Sequence, residues 1–169
     1  MANPLYDNLI GKHATNDACF LRQPGKPTVS FRQFSERTSQ VANLLLKHGL
    51  KPGDRVAVQA SKTVEMVILY GATIQAGGVF LSLNTDYKKD EISYFIKDAS
   101  PKIFVCDPQK RKELEQITGQ VGSQVLTLDK NGQGSLQSQA NILSKTFNTI
   151  DRRPCLLYTS DAADEEDSV

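Results

Sequence analysis

The chain has 169 residues, 39% of them hydrophobic and 23% charged, with a formal net charge of +1 at pH 7. That length suits one domain with a sizeable core, and the composition argues against disorder over most of it. No run approaches the roughly eighteen uninterrupted apolar residues of a membrane span, and no Arg/Lys-rich segment with interleaved aromatics points to nucleic acid. The charge is uneven: residues 155–169 hold five acids (Asp161, Asp164, Glu165, Glu166, Asp167) and no base, which leaves 20 bases against 14 acids, or +6, in residues 1–154. Such an excess attracts anionic ligands or simply solvates a surface. The opening MANPLYDNLIGKH has no basic region followed by an apolar one, so a secretory signal is not expected and a cytoplasmic location is. Cys19, Cys106 and Cys155 show no C-x-x-C spacing, and Cys106, ending an apolar strand, reads as a small core hydrophobe.

In chain order, residues 6–13 predict a short opening helix and residues 20–23 an edge strand before the turn Pro24-Gly25-Lys26-Pro27. Thr28-Val29 starts another short strand. Ser30 followed by Gln33 is a capping-box pattern, and it opens a helix with the stripe Phe31, Phe34, Thr38, Val41, Leu45 and His48, ended by Gly49. Lys47 and His48 complement the negative end of that helix, so His48 reads as a helix-end residue rather than a catalytic one. His13 has no partner pattern. Pro52-Gly53 turns the chain into a strand over residues 54–59, with Val56 and Val58 inward. Asp54 and Arg55 are adjacent on a strand and so face opposite ways, and each is expected in a structural ion pair with another partner. Ser61 is the expected cap of the next helix. Met66, Val67, Ile68, Leu69, Tyr70, Ala72 and Ile74 leave that helix almost no polar face, so burial is expected. Gly77-Gly78 stop it, with a positive φ at the first.

Residues 79–83 form a short apolar run of strand length. Ile92, Phe95, Ile96 and Ala99 fall at i, i+3, i+4, i+7 and make one helix face; Ser100-Pro101 ends it, and Ile103, Phe104 and Val105 resume the sheet. Asp107-Pro108 is an N-cap with proline at the first helical position, opening the solvated helix KRKELEQI with Leu114 and Ile117 inward. A strand over 124–128, a turn over 131–134 and a last helix capped by Ser135 and running to Leu143 complete the pattern. The G-x-G of Gly132 and Gly134 lacks a third glycine and a ribose-binding acid, so it reads as a plain turn. This alternation predicts an α/β fold: an open, mostly parallel sheet with helices on both faces. Ligands of such sheets sit outside the carboxyl ends of the strands. That makes Leu83, Asn84, Thr85, Cys106 and Asp107 the geometric candidates for facing a site, with turn and cap chemistry as the alternative, above all for Asp107.

Residues 71–107, GATIQAGGVFLSLNTDYKKDEISYFIKDASPKIFVCD, carry a resemblance. The order of helix, AGG, aromatic-Leu-x-Leu-Asn, Tyr and E-x-x-Y-F-I-x-D-A-x-P-K-I is similar to the second conserved block of the adenylate-forming acyl-CoA synthetases. GDRVAV matches the family's G-D-R-V. YGATIQAGGVFLSLNTDY, PKIFVCDPQKR, GQGSL and FNTID, in that order, resemble its malonyl-CoA synthetase branch from about residue 8 to residue 153. The resemblance implies that residues 1–154 are the N-terminal part of the large domain of an AMP-dependent synthetase/ligase. In that family a carboxylate attacks the α-phosphate of ATP to give an acyl-adenylate and pyrophosphate, and the CoA thiol then displaces AMP. Malonate, ATP, Mg²⁺ and CoA are thus implied for the full-length enzyme, and none is expected to bind this portion tightly. Setting anionic malonate against triphosphate needs a metal ion and preorganised donors. The family supplies them from a glycine-rich loop, later nucleotide-binding motifs and a lysine on a mobile C-terminal domain, all beyond residue 154. No catalytic, cofactor-binding or metal residue is therefore assigned, and the portion is expected to be inactive by itself. Two other readings stay open: another acyl- or aryl-CoA synthetase with a different acid, and a non-catalytic α/β binding module.

From Cys155 the composition changes to CLLYTSDAADEEDSV, and CLLYTSDAADE resembles a translated sequencing adapter. Residues 155–169 are thus expected to be non-native, a disordered acidic C-terminus being the alternative. Leu157-Tyr158-Thr159-Ser160 coincide with the first letters of the family's phosphate-binding loop. Such a loop needs glycines, so that backbone N–H groups turn toward phosphate, and a lysine. Asp161, Ala162, Ala163 and Asp164 follow instead, so the loop is absent from the sequence.

Overall fold

Residues 3–151 are described by the computed structural model, and their core is a four-stranded sheet in the order β4-β3-β5-β6. The strands are β3 (Arg55–Gln59), β4 (Val79–Ser82), β5 (Ile103–Cys106) and β6 (Gln124–Thr127), and every neighbouring pair is parallel. A separate antiparallel hairpin joins β1 (Cys19–Leu21) to β2 (Val29–Ser30). Side chains alternate across the sheet with a period of two. Val56, Val58, Ile103, Val105 and Leu126 meet α2 (Phe31–Lys47), α3 (Val64–Gln75) and α6 (Ser135–Ala140) on one face. Ala57, Phe104 and Cys106 meet α4 (Lys89–Ala99) and α5 (Arg111–Gly119) on the other. Helices on both faces are why β3 is buried at four consecutive positions and β5 at all four of its own.

Local chemistry fixes the element starts. The Ser30–Gln33 capping box forms, with the Gln33 N–H donating to Ser30 Oγ and the Ser30 N–H to Gln33 Oε1. Asp107 caps as expected, accepting the Gln109 N–H at 2.9 Å, although the first turn after it is 3-10 before α5 begins. Gly77 ends α3 with φ +74° and Gly78 has no such requirement.

Several expectations are corrected. The opening segment divides into α1 (Pro4–Leu9) and a 3-10 turn over Gly11–His13, because Asn3 caps α1 through the Tyr6 N–H with Pro4 at the first position. The cap of α3 is Thr63, not Ser61: residues 60–63 stay non-helical as the chain leaves the sheet, and Thr63 Oγ1 accepts the Met66 N–H. Ser135 is the first helical residue of α6 rather than its cap. Its Oγ accepts the Thr127 N–H and its own N–H donates to Thr127 Oγ1, both at 2.9 Å, which pins α6 to β6. That helix stops at Ala140, short of Leu143. Asp54 and Arg55 use backbone partners rather than ion pairs: Asp54 Oδ2 accepts the Lys51 N–H, and Arg55 Nη1 donates to the Ala99 carbonyl. Finally, α3 and β4 are less covered than their apolar sequences suggest. Val67 and Tyr70 on α3 are 39% and 37% exposed and Val79 on β4 is 40% exposed, because β4 is an edge strand and α3 lies over that edge.

Candidate functional site

The strand order makes a site at one place. The chain passes from β3 through α3 to β4, then returns through α4 across β3 to β5 on the opposite face. The winding direction therefore reverses between β3 and β5, and connections leaving their carboxyl ends diverge and open a crevice. An open cleft of about 220 Å³ lies there. Gln59, Ala60 and Ser61 supply the β3 side, Thr85 the end of the β4 connection, and Asp107, Gln109 and Lys110 the β5 side. A second hollow of about 400 Å³ lies beyond Thr85, bordered by Asp86, Tyr87, Lys88, Lys89, Lys110 and Glu113 among others.

Gln59 organises the mouth. It is 1% exposed, and its Nε2 donates to the carbonyls of Asn84 at 2.9 Å and Tyr87 at 3.1 Å. Lys110 Nζ reaches the same turn from the β5 side and donates to the Thr85 carbonyl at 2.9 Å. Within the turn, Asn84 Oδ1 accepts the Asp86 N–H, and Tyr87 stacks on Phe95 of α4 with ring centroids 5.2 Å apart. Three lysines (Lys88, Lys89, Lys110) border the two hollows, and Asp86, Asp107 and Glu113 balance them. The charges around the mouth are matched and no glycine is among the residues that line it, so it has no glycine-rich phosphate cradle.

Of the five residues expected to face a site, two line the mouth, Thr85 and Asp107. Asp107 does so as a helix cap. Asn84 shapes the turn, while Leu83 and Cys106 are buried against α4 and α5. Burial, with the Asp107 charge beside it, pushes the Cys106 thiol up to about 11, so it stays protonated at neutral pH. The sequence reading missed Gln59 and Lys110; the available signal was an amide closing the apolar run Val56-Ala57-Val58. His48 pairs with Gln139 at 3.1 Å, and His13 packs on Phe31. No cluster among the described residues suits a metal ion. A larger groove of about 530 Å³, between the β1–β2 loop, α2 and α3, has Arg37 paired with Glu65 and Lys145 with Glu36, both at 2.9 Å, and Lys26 donating to the Asn131 carbonyl; it shares no lining residue with the mouth.

Parallel winding with a reversal of strand order places the chain in the class of doubly wound α/β layers. Residues 11–165 match the family described as AMP-binding enzyme, and the chain belongs to that family. Among solved structures, ATP-bound MatB from Rhodopseudomonas palustris is 43% identical, with a TM-score of 0.87, covering 90% of this chain and 30% of that one. An acyl-CoA synthetase from Brucella canis shares the fold, with a TM-score of 0.76 at 17% identity over 88% of this chain and 29% of that one. Among curated proteins, tyrocidine synthase 2 of Brevibacillus parabrevis is 33% identical over 132 residues, 78% of this chain and 4% of that protein. The chain thus spans about a third or less of the length of these proteins, and its layer corresponds to the N-terminal region of the family fold.

Proposed function

We propose that this chain is the N-terminal part of the large domain of an ATP-dependent acid–CoA ligase whose acid is malonate. The observation that carries the reading is the 43% identity to MatB, a malonyl-CoA synthetase, over 90% of the chain, against 20% and 14% to an anthranilate and a benzoate CoA ligase of the same fold. In the whole enzyme the malonate carboxylate would attack the α-phosphate of ATP, releasing pyrophosphate. The CoA sulfur would then attack the carbonyl carbon of the malonyl-adenylate, AMP leaving as malonyl-CoA forms. ATP, Mg²⁺ and CoA belong to that reaction. The groups that would hold the phosphates and the metal are assigned to sequence outside residues 3–151, so no chemical step is given to the described residues. Their part is to form the rigid layer and one wall of the substrate crevice. We assign a cytoplasmic location; no described helix is long and apolar enough to cross a membrane.

The domain boundary follows the same reading: residues 1–154 are native to the ligase, and residues 155–169, which lie outside the described residues, are a non-native tail. A genomic contig running unbroken from IDRRP into DAADEEDSV would refute that boundary.

The functional test joins residues 1–151 of this chain to the remainder of R. palustris MatB. Malonate-dependent formation of AMP and malonyl-CoA is expected from the joined enzyme and none from the 169-residue chain alone. Turnover by the chain alone, or a soluble joined protein with no activity on malonate, would overturn the proposal. Activity only when these residues are joined to the remainder of a different acyl- or aryl-CoA synthetase, and not to that of MatB, would favour that alternative.

A further inference from the structure

We propose that Gln59 is a positioning residue: its buried amide, opposed by Lys110, sets the place of the 84–87 turn and hence the width of the mouth at the strand reversal. Gln59 ends the central strand of the parallel pair whose carboxyl ends form that mouth. Its Nε2 donates to the Asn84 and Tyr87 carbonyls and, at 3.5 Å, approaches the Thr85 carbonyl between them, which also accepts from Lys110 across the opening at 2.9 Å. The turn is thereby held from both walls of the cleft it borders.

A packing role alone does not account for this side chain. Gln59 Oε1 is buried and meets no donor among the described residues, and an unpaired buried acceptor costs stability. An apolar side chain of similar volume would fill the strand end without that cost, as Leu83 and Cys106 do at neighbouring strand ends. What the amide adds is its set of hydrogen bonds to the turn. The tie between Gln59 and the mouth's geometry stands on these contacts; its kinetic consequence rests on the ligase reading above.

The test has two arms. In the 169-residue chain, Gln59→Met keeps the volume and removes both donors, and Gln59→Glu sets a carboxylate against two carbonyls. Hydrogen exchange at the Asp86 and Tyr87 amides is expected to speed about tenfold in both variants, the order expected from losing paired hydrogen bonds. The Val58 and Val105 amides should be unchanged. An unaltered turn, or equal acceleration across the whole sheet, would overturn the proposal. In the ligase completed with the remainder of R. palustris MatB, Gln59→Met is expected to raise KM for one of the three substrates about fivefold with kcat within about twofold. A loosened turn with unchanged kinetic constants would reduce Gln59 to a structural residue and refute the positioning role. An inactive parent enzyme would count against the ligase reading alone, since the exchange arm decides the Gln59 contacts by itself.

Discussion

Cys106 shows how far one buried group can shape solution behaviour. Its thiol lies inside the α4–α5 face with its pKa raised from 9.0 to about 11 by burial and, secondarily, by Asp107. The folded state therefore keeps a proton that the unfolded chain would release near pH 9. The corresponding stability is complete below pH 9 and is lost as pH rises through about 11, on the order of 2 kcal/mol in all. Thermal unfolding followed across that window should show falling stability, and Cys106→Ala should remove the thiol's share of the slope. Identical slopes would contradict burial as the cause. Alkylation with peptide mapping gives a second measure, in which exposed Cys19 is modified in the folded chain and Cys106 only on unfolding. The core reading of Cys106 was legible because a cysteine closing an apolar strand packs as a small hydrophobe. Its position at a strand end suggested a site-facing role that burial rules out. Gln59 was not legible, because a glutamine at a strand end looks solvated until the sheet order shows that β3 is flanked on both sides.

Elements were legible where a start or stop signal is contained in a few residues. The Ser30–Gln33 box and Gly77 are such cases, and both can be measured. Ser30→Ala should destabilise the chain by about 1 kcal/mol through lost capping of α2, seen as a lower urea midpoint at constant slope. Gly77→Ala should cost more, roughly 1–3 kcal/mol. Its φ is +74°, and an added Cβ would lie 3.0 Å from Ile150 Cγ2. An effect no larger than that of Ser30→Ala would mean that the turn relaxes freely. Reading failed where competing caps sit close together: Ser61 and Thr63 are chemically alike, and only the path of the chain leaving β3 selects Thr63. Asn3-Pro4 carries the same signal as Asp107-Pro108 and was overlooked; Asn3 is also tied to the far end of α3.

The α/β class was readable across the whole molecule because short apolar runs of strand length alternate with stripes at the helical period. The order β4-β3-β5-β6 was not, since it depends on long-range pairing that no local window contains. That order leaves β4 at an edge, with Val79 exposed on the face away from α3, while on the α3 side Tyr70 packs edge-on against Phe80 and both Tyr70 and Val67 remain partly exposed. An apolar, uncharged edge invites association. The chain alone should bind a hydrophobic dye and associate as its concentration rises, and Val79→Lys should reduce both; a dye-silent monomer at all concentrations would exclude this account. One further property follows from the C-terminal end of α3. There Asn3 Nδ2 donates to the carbonyls of both Ile74 and Ile150, and the Ile150 N–H donates to the Gln75 carbonyl. The first and last described segments thus share one anchor. A circular permutant, with residue 151 linked to residue 3 by a short flexible bridge and new termini opened in the exposed 130–131 turn, should keep the same sheet and the same mouth.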